Sequence, residues 1–249
     1  MRSPQHSENT RLTSLPGRDD IGRLTLPNGI TVLTRENFNS PSVFISGYLQ
    51  AGGITDSDEK LGLADFTASS LMRGTARRSM QQIYELLESC GASLSFGAGV
   101  HTTGFSGRAL IEDLPLLLEL TSEILQQPAF PAEQVEKLRA QILTGLALRA
   151  QDTADMASLT FDQILFKGHP YERPDEGWPE TVQAITTGDL ADFHRRAYGP
   201  RGMVIAITGA IKARQAFDWV DRLLGGWTND DTGRASRRSS RSLPRRGDG

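Results

Sequence analysis

The sequence predicts an α+β fold, in which a mostly antiparallel, twisted sheet packs against a layer of helices. Two observations indicate antiparallel strands: "RLTLPNGITVLTREN" has β-type runs on both sides of a two-residue Asn28-Gly29 turn, and "ASLSFGAGV" with "TTGFSGRAL" forms a second hairpin pattern. The third is a set of long tracts with helical apolar spacing, such as "EDLPLLLELTSEILQQ" and "PAEQVEKLRAQILTGLALRAQ". Hairpins together with grouped helices favour an α+β fold.

The remaining elements follow from local signals. "SVFISGYLQAG" predicts a central strand, and "GLADFTASSLMRGT" predicts a helix between two turns. The next helix, "SMQQIYELLESCG", begins at the N-cap Ser79 and stops at Gly91. After the proline-rich loop "HPYERPDEGWPE", we expect Thr187 to cap "DLADFHRRAY". "GMVIAITGA" predicts a buried strand, and "ARQAFDWVDRLLGGW" closes the fold.

Composition divides the chain into three parts. Residues 1–20 are polar and rich in turn formers, which predicts a flexible lead-in, and residues 21–228 form the folded domain. Residues 229–249 contain six arginines and four serines, so we expect a disordered tail or linker. Its charge could also hold RNA or an acidic surface.

Overall composition limits the classes of partner. The 249 residues are 38% hydrophobic and 23% charged, with a net charge of -3, which provides no basic field for nucleic acid or an anionic membrane. No signal peptide and no apolar run long enough to span a membrane are evident. Cys90 is the single cysteine, which excludes an internal disulfide. We therefore expect a soluble cytoplasmic protein with neither nucleic-acid nor membrane binding.

The chemistry-bearing residues do not form a recognisable catalytic set. The four histidines are scattered, and none stands at helical ligand spacing from another: His6, His101, His169 and His194. His169 and His194 are expected on the surface. "GAGVHTTG" lacks the lysine and context of a phosphate loop. Asp65 and Ser69 share a helix face with Ala68 and Met72, but no histidine base accompanies the serine.

The helix "GLADFTASSLMRGT" resembles the metal-site helix of the insulinase or pitrilysin family of zinc peptidases, where a "GLAHFLEHMLFKGT"-like segment carries the inverted H-x-x-E-H motif. The frame is kept, but the two histidine positions fall on Asp65 and Ser69, and the glutamate base falls on Ala68. Further segments resemble the family across residues 24–227. The resemblance implies one structural half of the clamshell-shaped subunit of this family.

The resemblance also places the other functional positions. In "EKLRAQILTGL", the upstream acidic position of the family falls on Leu138 and the third metal ligand on Gly145. Without these ligands and without a base at position 68, the resemblance implies no zinc cofactor and no peptide hydrolysis by this chain alone. The family's substrate pairs as an added strand near an Asn-Ala step, which falls here on Ser95 and Phe96. The phenyl ring of Phe96 would reduce the room for a peptide.

Three functional hypotheses follow. The first is a non-catalytic homologue that forms a homo- or hetero-oligomer, with a zinc-containing relative as the candidate partner, and helps to enclose a chamber in which peptides are processed. The second is a structural or peptide-binding scaffold without a peptidase partner. The third is an active zinc endopeptidase with substitute ligands, such as Asp65 with a distant histidine.

Overall fold

The protein's structure, a computed structural model, describes residues 17–229. Residues 1–16 of the predicted lead-in and residues 230–249 of the predicted tail therefore lie outside the described residues. Arg18–Asp20 forms a single 3-10 turn before the first strand. At the other end, the Asn229 amide donates to the carbonyl oxygens of Arg195 and Tyr198, at 2.8 and 2.5 Å. The ordered contacts thus extend slightly beyond the predicted limits of the domain.

A six-stranded sheet forms one layer of the fold, in the order β1-β2-β6-β3-β5-β4. Its strands are β1 (Gly22–Thr25), β2 (Thr31–Glu36), β3 (Ser42–Leu49), β4 (Ser93–Ala98), β5 (Thr103–Leu110) and β6 (Val204–Gly209). All neighbouring pairs are antiparallel except β2 and β6, which are parallel. The predicted α+β fold and the central position of β3 are confirmed.

The turn between β1 and β2 differs from the predicted two-residue turn. The Gly29 N–H donates to Leu26 O, and the Leu26 N–H donates to Ile30 O, so three residues form the loop. Gly29 has a φ of +94°, whereas Asn28 is not in the left-handed region. The Asn28 side chain instead donates to the carbonyl oxygens of Leu224 and Trp227. The predicted hairpin is present, but the Asn28 side chain forms long-range hydrogen bonds and its backbone does not adopt the positive φ of a two-residue turn.

Strand β6 also differs from expectation, because its residues alternate between buried and half-buried positions. Ile205 and Ile207 are fully buried, whereas Ala206 and Thr208 lie on the other side of the sheet. A continuous apolar run is typical of a strand that is buried on both faces, whereas helices cover only one face of this sheet among the described elements.

The helices pack on that one face. They are α1 (Leu63–Ser70), α2 (Met80–Ser89), α3 (Leu114–Gln126), α4 (Ala132–Arg149), α5 (Thr153–Leu165), α6 (Pro179–Ala184), α7 (Thr187–Ala197) and α8 (Ala213–Leu224). The predicted cap of α2 is confirmed, since Ser79 Oγ accepts from the Gln82 N–H. The cap of α7 is Thr186, one residue before the predicted Thr187. Within residues 17–229, no helix combines the length and the apolar character needed to cross a membrane.

Candidate functional site

Helix α1 carries the residues singled out by the motif, and a glycine fixes where it begins. Gly62 has a φ of +92°, and a Cβ there would lie 2.6 Å from the carbonyl oxygen of Glu176. Only glycine fits such a contact without strain. The close approach brings the chain around Glu176 against the first turn of α1. Asp56 supports the same turn, because its carboxylate accepts from the Ala64 N–H at 3.1 Å.

Asp65 lies half-buried in this first turn and faces two open cavities. One, of about 450 Å³, is shared with Gly145, Leu146 and Arg149 of α4. The other, of about 500 Å³, is lined by residues of α5 and by the chain that follows it, including Asp175. The fold therefore places Asp65 where two cavities meet.

The surroundings of Asp65 are negatively charged. Burial first, and then the nearby carboxylates of Glu176 and Asp175, raise the pKa of Asp65 from 3.8 to about 6. Burial and the charge of Glu176 also raise the pKa of Asp175. The guanidinium of Arg149 does not pair with Asp65: it lies 2.5 Å from the carboxylate of Glu176 and over the ring of Trp178. A protonated Asp65 can donate a hydrogen bond at mildly acidic pH.

The other motif positions differ in how accessible they are. Ala68 is 1% exposed and Ser69 is half-buried. Leu138 is buried in the core, with 7% of its surface exposed. Gly145 is exposed, and a Cβ there would have no atom within 4 Å. The structure thus brings Asp65 and Gly145 to one cavity, whereas Ala68 and Leu138 belong to the packed interior.

The histidines do not converge on this site. His101 and His169 are exposed, and both contact Tyr171: the His101 Nε2 lies 2.6 Å from the tyrosine hydroxyl, and the His169 Nδ1 accepts from the backbone N–H. His194 was expected on the surface and is instead half-buried, with its Nε2 donating to Leu125 O. Burial lowers the pKa of His194. In residues 17–229, no group of three or more His, Cys, Asp or Glu residues could hold a metal ion.

Comparison with known proteins gives the family. The model of the insulinase family, peptidase family M16, matches residues 31–174, and the model of the peptidase M16 inactive domain matches residues 184–247. The chain belongs to the insulinase family. Since the first match alone covers more than half of the chain, and the fold agrees with it, the resemblance seen in the sequence is confirmed.

The proteins that resemble this chain differ in function. The chain is 27% identical over 208 residues to the probable mitochondrial-processing peptidase subunit beta of Arabidopsis thaliana, covering 84% of this chain and 39% of that protein. It is 27% identical over 201 residues to cytochrome b-c1 complex subunit 1 of Bos taurus, covering 81% and 42%. A solved peptidase M16 inactive domain from Pseudomonas fluorescens superposes with a TM-score of 0.77 and 26% identity, covering 82% and 50%. The chain spans half or less of the length of these relatives.

The positions that resemble the substrate-pairing step of the insulinase family lie on strand β4, at the edge of the sheet. Ser95 is exposed on the uncovered face, and its Oγ lies 3.0 Å from Ser106 Oγ. Phe96 points to the helical side, where its ring centroid lies 6.1 Å from that of Phe105. The outer backbone edge of β4 pairs with no other strand among the described elements. The Phe96 ring thus packs against the domain itself and lies away from the uncovered face.

Sequence reasoning missed three residues that shape this insulinase-family site. Asp175 and Glu176 supply the negative charge beside Asp65, and Arg149 engages Glu176. The local signal was "PDEGW", an acidic pair before a glycine in a loop that no helix could cross. Gly177 has a φ of +76°, and a Cβ there would lie 2.2 Å from Leu61 O, so this glycine holds the acidic pair against α1.

Proposed function

We propose that this chain is a non-catalytic member of the insulinase family that acts as a partner subunit of a zinc-containing relative. The observation that carries the proposal is the donor set around the Asp65 cavity. Of the positions that match the family's metal ligands, Asp65 supplies a carboxylate, Ser69 a neutral hydroxyl and Gly145 no side chain. A catalytic zinc ion takes about three nitrogen, sulfur or carboxylate ligands, so these residues do not fit it.

The position of the missing base supports the same conclusion. Water attack on a peptide bond needs a side chain that takes a proton. Position 68 carries a methyl group that is 1% exposed, and the residues lining the two cavities beside Asp65 include no histidine. Asp65 can donate a hydrogen bond to a peptide carbonyl only when it is protonated, and the charges of Glu176 and Asp175 favour this protonated form by raising its pKa.

Two features support a partner role. One face of the sheet is not covered by described elements, and the outer edge of β4 pairs with no other described strand. A peptide can add to such an edge through backbone hydrogen bonds alone, which needs no catalytic side chain. In the proposed assembly, the relative supplies the zinc centre, and this chain supplies part of the wall and an edge for the peptide.

The direct test measures metal content and peptidase activity of the chain alone and of the complex that it forms in its native cells. We expect no stoichiometric zinc and no cleavage of unfolded peptides by the chain alone, and chelator-sensitive cleavage by the complex. Tight zinc with chelator-sensitive cleavage by the isolated chain would show that the proposal is wrong.

Restoring the ligands gives a second test. We expect the triple variant Asp65→His, Ser69→His and Gly145→Glu to take up one zinc ion, because the fold already places Asp65 and Gly145 at one cavity. Adding Ala68→Glu supplies the base, and we expect cleavage only when the second half of the clamshell-shaped subunit of the family is supplied. The variant Asp65→His with Ser69→His alone is the matched control, which lacks the third ligand. A folded triple variant without zinc uptake would contradict the alignment of these positions.

A scaffold without a peptidase partner is the second candidate, favoured by the similarity to cytochrome b-c1 complex subunit 1. Co-purification separates the two proposals. A zinc-containing relative in the complex supports the partner subunit, whereas a complex of proteins without peptidase activity supports the scaffold.

A further inference from the structure

Helix α5 is packed less tightly than its neighbours. Among the described helices α1 to α8, it alone has no buried residue. Its half-buried residues share one side of the helix: Met156, Leu159, Asp162, Gln163 and, just after the helix, Phe166. The opposite side consists of six exposed residues, which we call the outer strip: Ala154, Ala157, Ser158, Phe161, Ile164 and Leu165.

The outer strip exposes large apolar side chains. Phe161, Ile164 and Leu165 are 62%, 73% and 58% exposed. A fully exposed large side chain presents about 200 Å², so these three present about 400 Å² to solvent, a size at which an apolar patch marks an interaction site. A helix that is apolar on both sides is normally a buried element. No described element covers the outer strip, so it has the properties of an interface.

The shape of the outer strip complements itself. Its small residues lie in the N-terminal half of α5, whereas Ile164 and Leu165 lie in the last turn. If two copies of α5 pack antiparallel about a two-fold axis at Phe161, Ala157 faces Leu165 of the second copy. In the same arrangement, Ser158 faces Ile164 of the second copy, and the two Phe161 rings meet at the axis. Each aliphatic side chain therefore packs against a small residue, which is the pattern of a well-packed contact.

Charge and area also fit a second copy. The outer strip has no ionisable side chain, so a two-fold axis brings no like charges together there. Antiparallel helices also place opposite ends of their macrodipoles side by side. With its small residues included, each strip can contribute about 500 Å², and two strips bury about 1,000 Å², which is the lower limit for a biological interface. The dimer should therefore be weak, with a dissociation constant on the order of 10 μM.

The ends of the chain do not offer a matching cover. The large apolar side chains of residues 1–16 and 230–249 are Met1, Leu12, Leu15 and Leu243. These four are divided between the two ends, so neither end supplies a continuous apolar face for three neighbouring large side chains. A second copy of α5 supplies such a face.

We propose that the outer strip is a contact between two copies of this chain, in which their α5 helices pack antiparallel about a two-fold axis at Phe161. The other side of α5, with Leu159 and Phe166, lines the cavity beside Asp65. The dimer contact therefore does not use the residues that line this cavity. The inference goes beyond the proposed partner role, and it does not depend on whether this chain is catalytic.

Analytical ultracentrifugation of the full chain tests the proposal. We expect a monomer–dimer equilibrium that is mostly dimer at about 200 μM. Phe161→Ser should raise the dissociation constant about a hundredfold, because each dimer loses two rings at its centre. Phe44→Ser is the matched control: Phe44 is 54% exposed on β3 and lies outside the outer strip, so the dissociation constant should not change. Thermal unfolding at about 1 μM, where the chain is monomeric, should be the same for wild type and Phe161→Ser.

A charge-pair rescue tests the antiparallel arrangement. Ala157→Glu alone and Leu165→Lys alone should each weaken the dimer at least about tenfold, because each buries an unpaired charge in the contact. The double variant should recover most of this loss, because the introduced carboxylate of one copy faces the introduced ammonium group of the other. Parallel helices would instead place like charges together.

The opposite results are equally definite. A chain that remains monomeric at about 200 μM, or a dimer that Phe161→Ser leaves intact, would overturn the proposal. A dimer that Phe44→Ser dissociates would do the same, because the contact would then lie on the sheet. A double variant that dimerises no more tightly than either single variant would overturn the antiparallel contact.

Discussion

Replacing Asp65 by asparagine should stabilise the protein, and the gain should depend on pH. The pKa of Asp65 is raised from 3.8 to about 6 by burial first and by the charges of Glu176 and Asp175 second. A raised pKa means that the folded state binds the proton more tightly than the unfolded state does. This part of the stability is therefore complete below pH 4 and is lost as the pH rises towards 6. Two pKa units correspond to about 3 kcal/mol.

The measurement is urea unfolding of the wild-type chain and of Asp65→Asn at pH 4 and pH 8. Asparagine keeps the shape but never ionises, so we expect a gain of about 3 kcal/mol at pH 8 and almost none at pH 4. Asp218→Asn, an exposed substitution on α8, is the control and should show no pH-dependent gain. An equal effect of Asp65→Asn at both pH values, or a loss of stability at pH 8, would refute the proposed charge environment.

Three further predictions concern glycine conformation, a buried ion pair and a buried histidine. Gly62→Ala should lower the free energy of unfolding by at least about 2 kcal/mol, because this residue has a positive φ and lies close to a carbonyl oxygen. Gly145→Ala should raise it by about 1 kcal/mol, because the new Cβ lies on a helix and meets open space. Thermal unfolding measures both changes. Arg78→Ala should cost about 3 kcal/mol in urea unfolding, because it leaves the carboxylate of Glu123 buried without its ion pair, and Glu123→Gln in the same chain should recover part of this loss. The pKa of His194 is lowered by burial, so its contribution to stability should fall as the pH drops below 6.5, and urea midpoints at pH 7.5 and 5.5 should differ less for His194→Gln than for the wild type.

Local patterns were sufficient for much of the fold. Strand alternation and turn residues gave both hairpins, and the Ser79 cap was visible because a capping serine bonds to a residue three positions on. The resemblance to the family assigned Asp65 and Gly145 to positions of one metal site, and these residues, which are far apart in the sequence, line one cavity. These features depend on near neighbours or on a pattern that the family shares.

Long-range contacts were not accessible in the same way. Asn28 looked like a turn residue, but its side chain bonds to the end of α8. His194 looked like a surface residue because two arginines follow it, yet its ring packs against Tyr198 with a centroid separation of 4.7 Å. The acidic pair Asp175 and Glu176 affects the pKa of Asp65 only because the fold brings these residues close to it. Each of these required knowing which distant segment lies beside the residue.

The position of β6 has a consequence for how the chain folds during synthesis. β6 lies between β2 and β3, although about 150 residues separate it from them in the sequence, so the sheet remains divided until Val204–Gly209 has left the ribosome. Until then β2 and β3 each expose an unpaired edge, which is a template for pairing with other chains. The boundary between the two family matches, near residue 180, is therefore not a place where the chain can be divided into parts that fold independently. A nascent chain that stops there would be expected to depend on a chaperone.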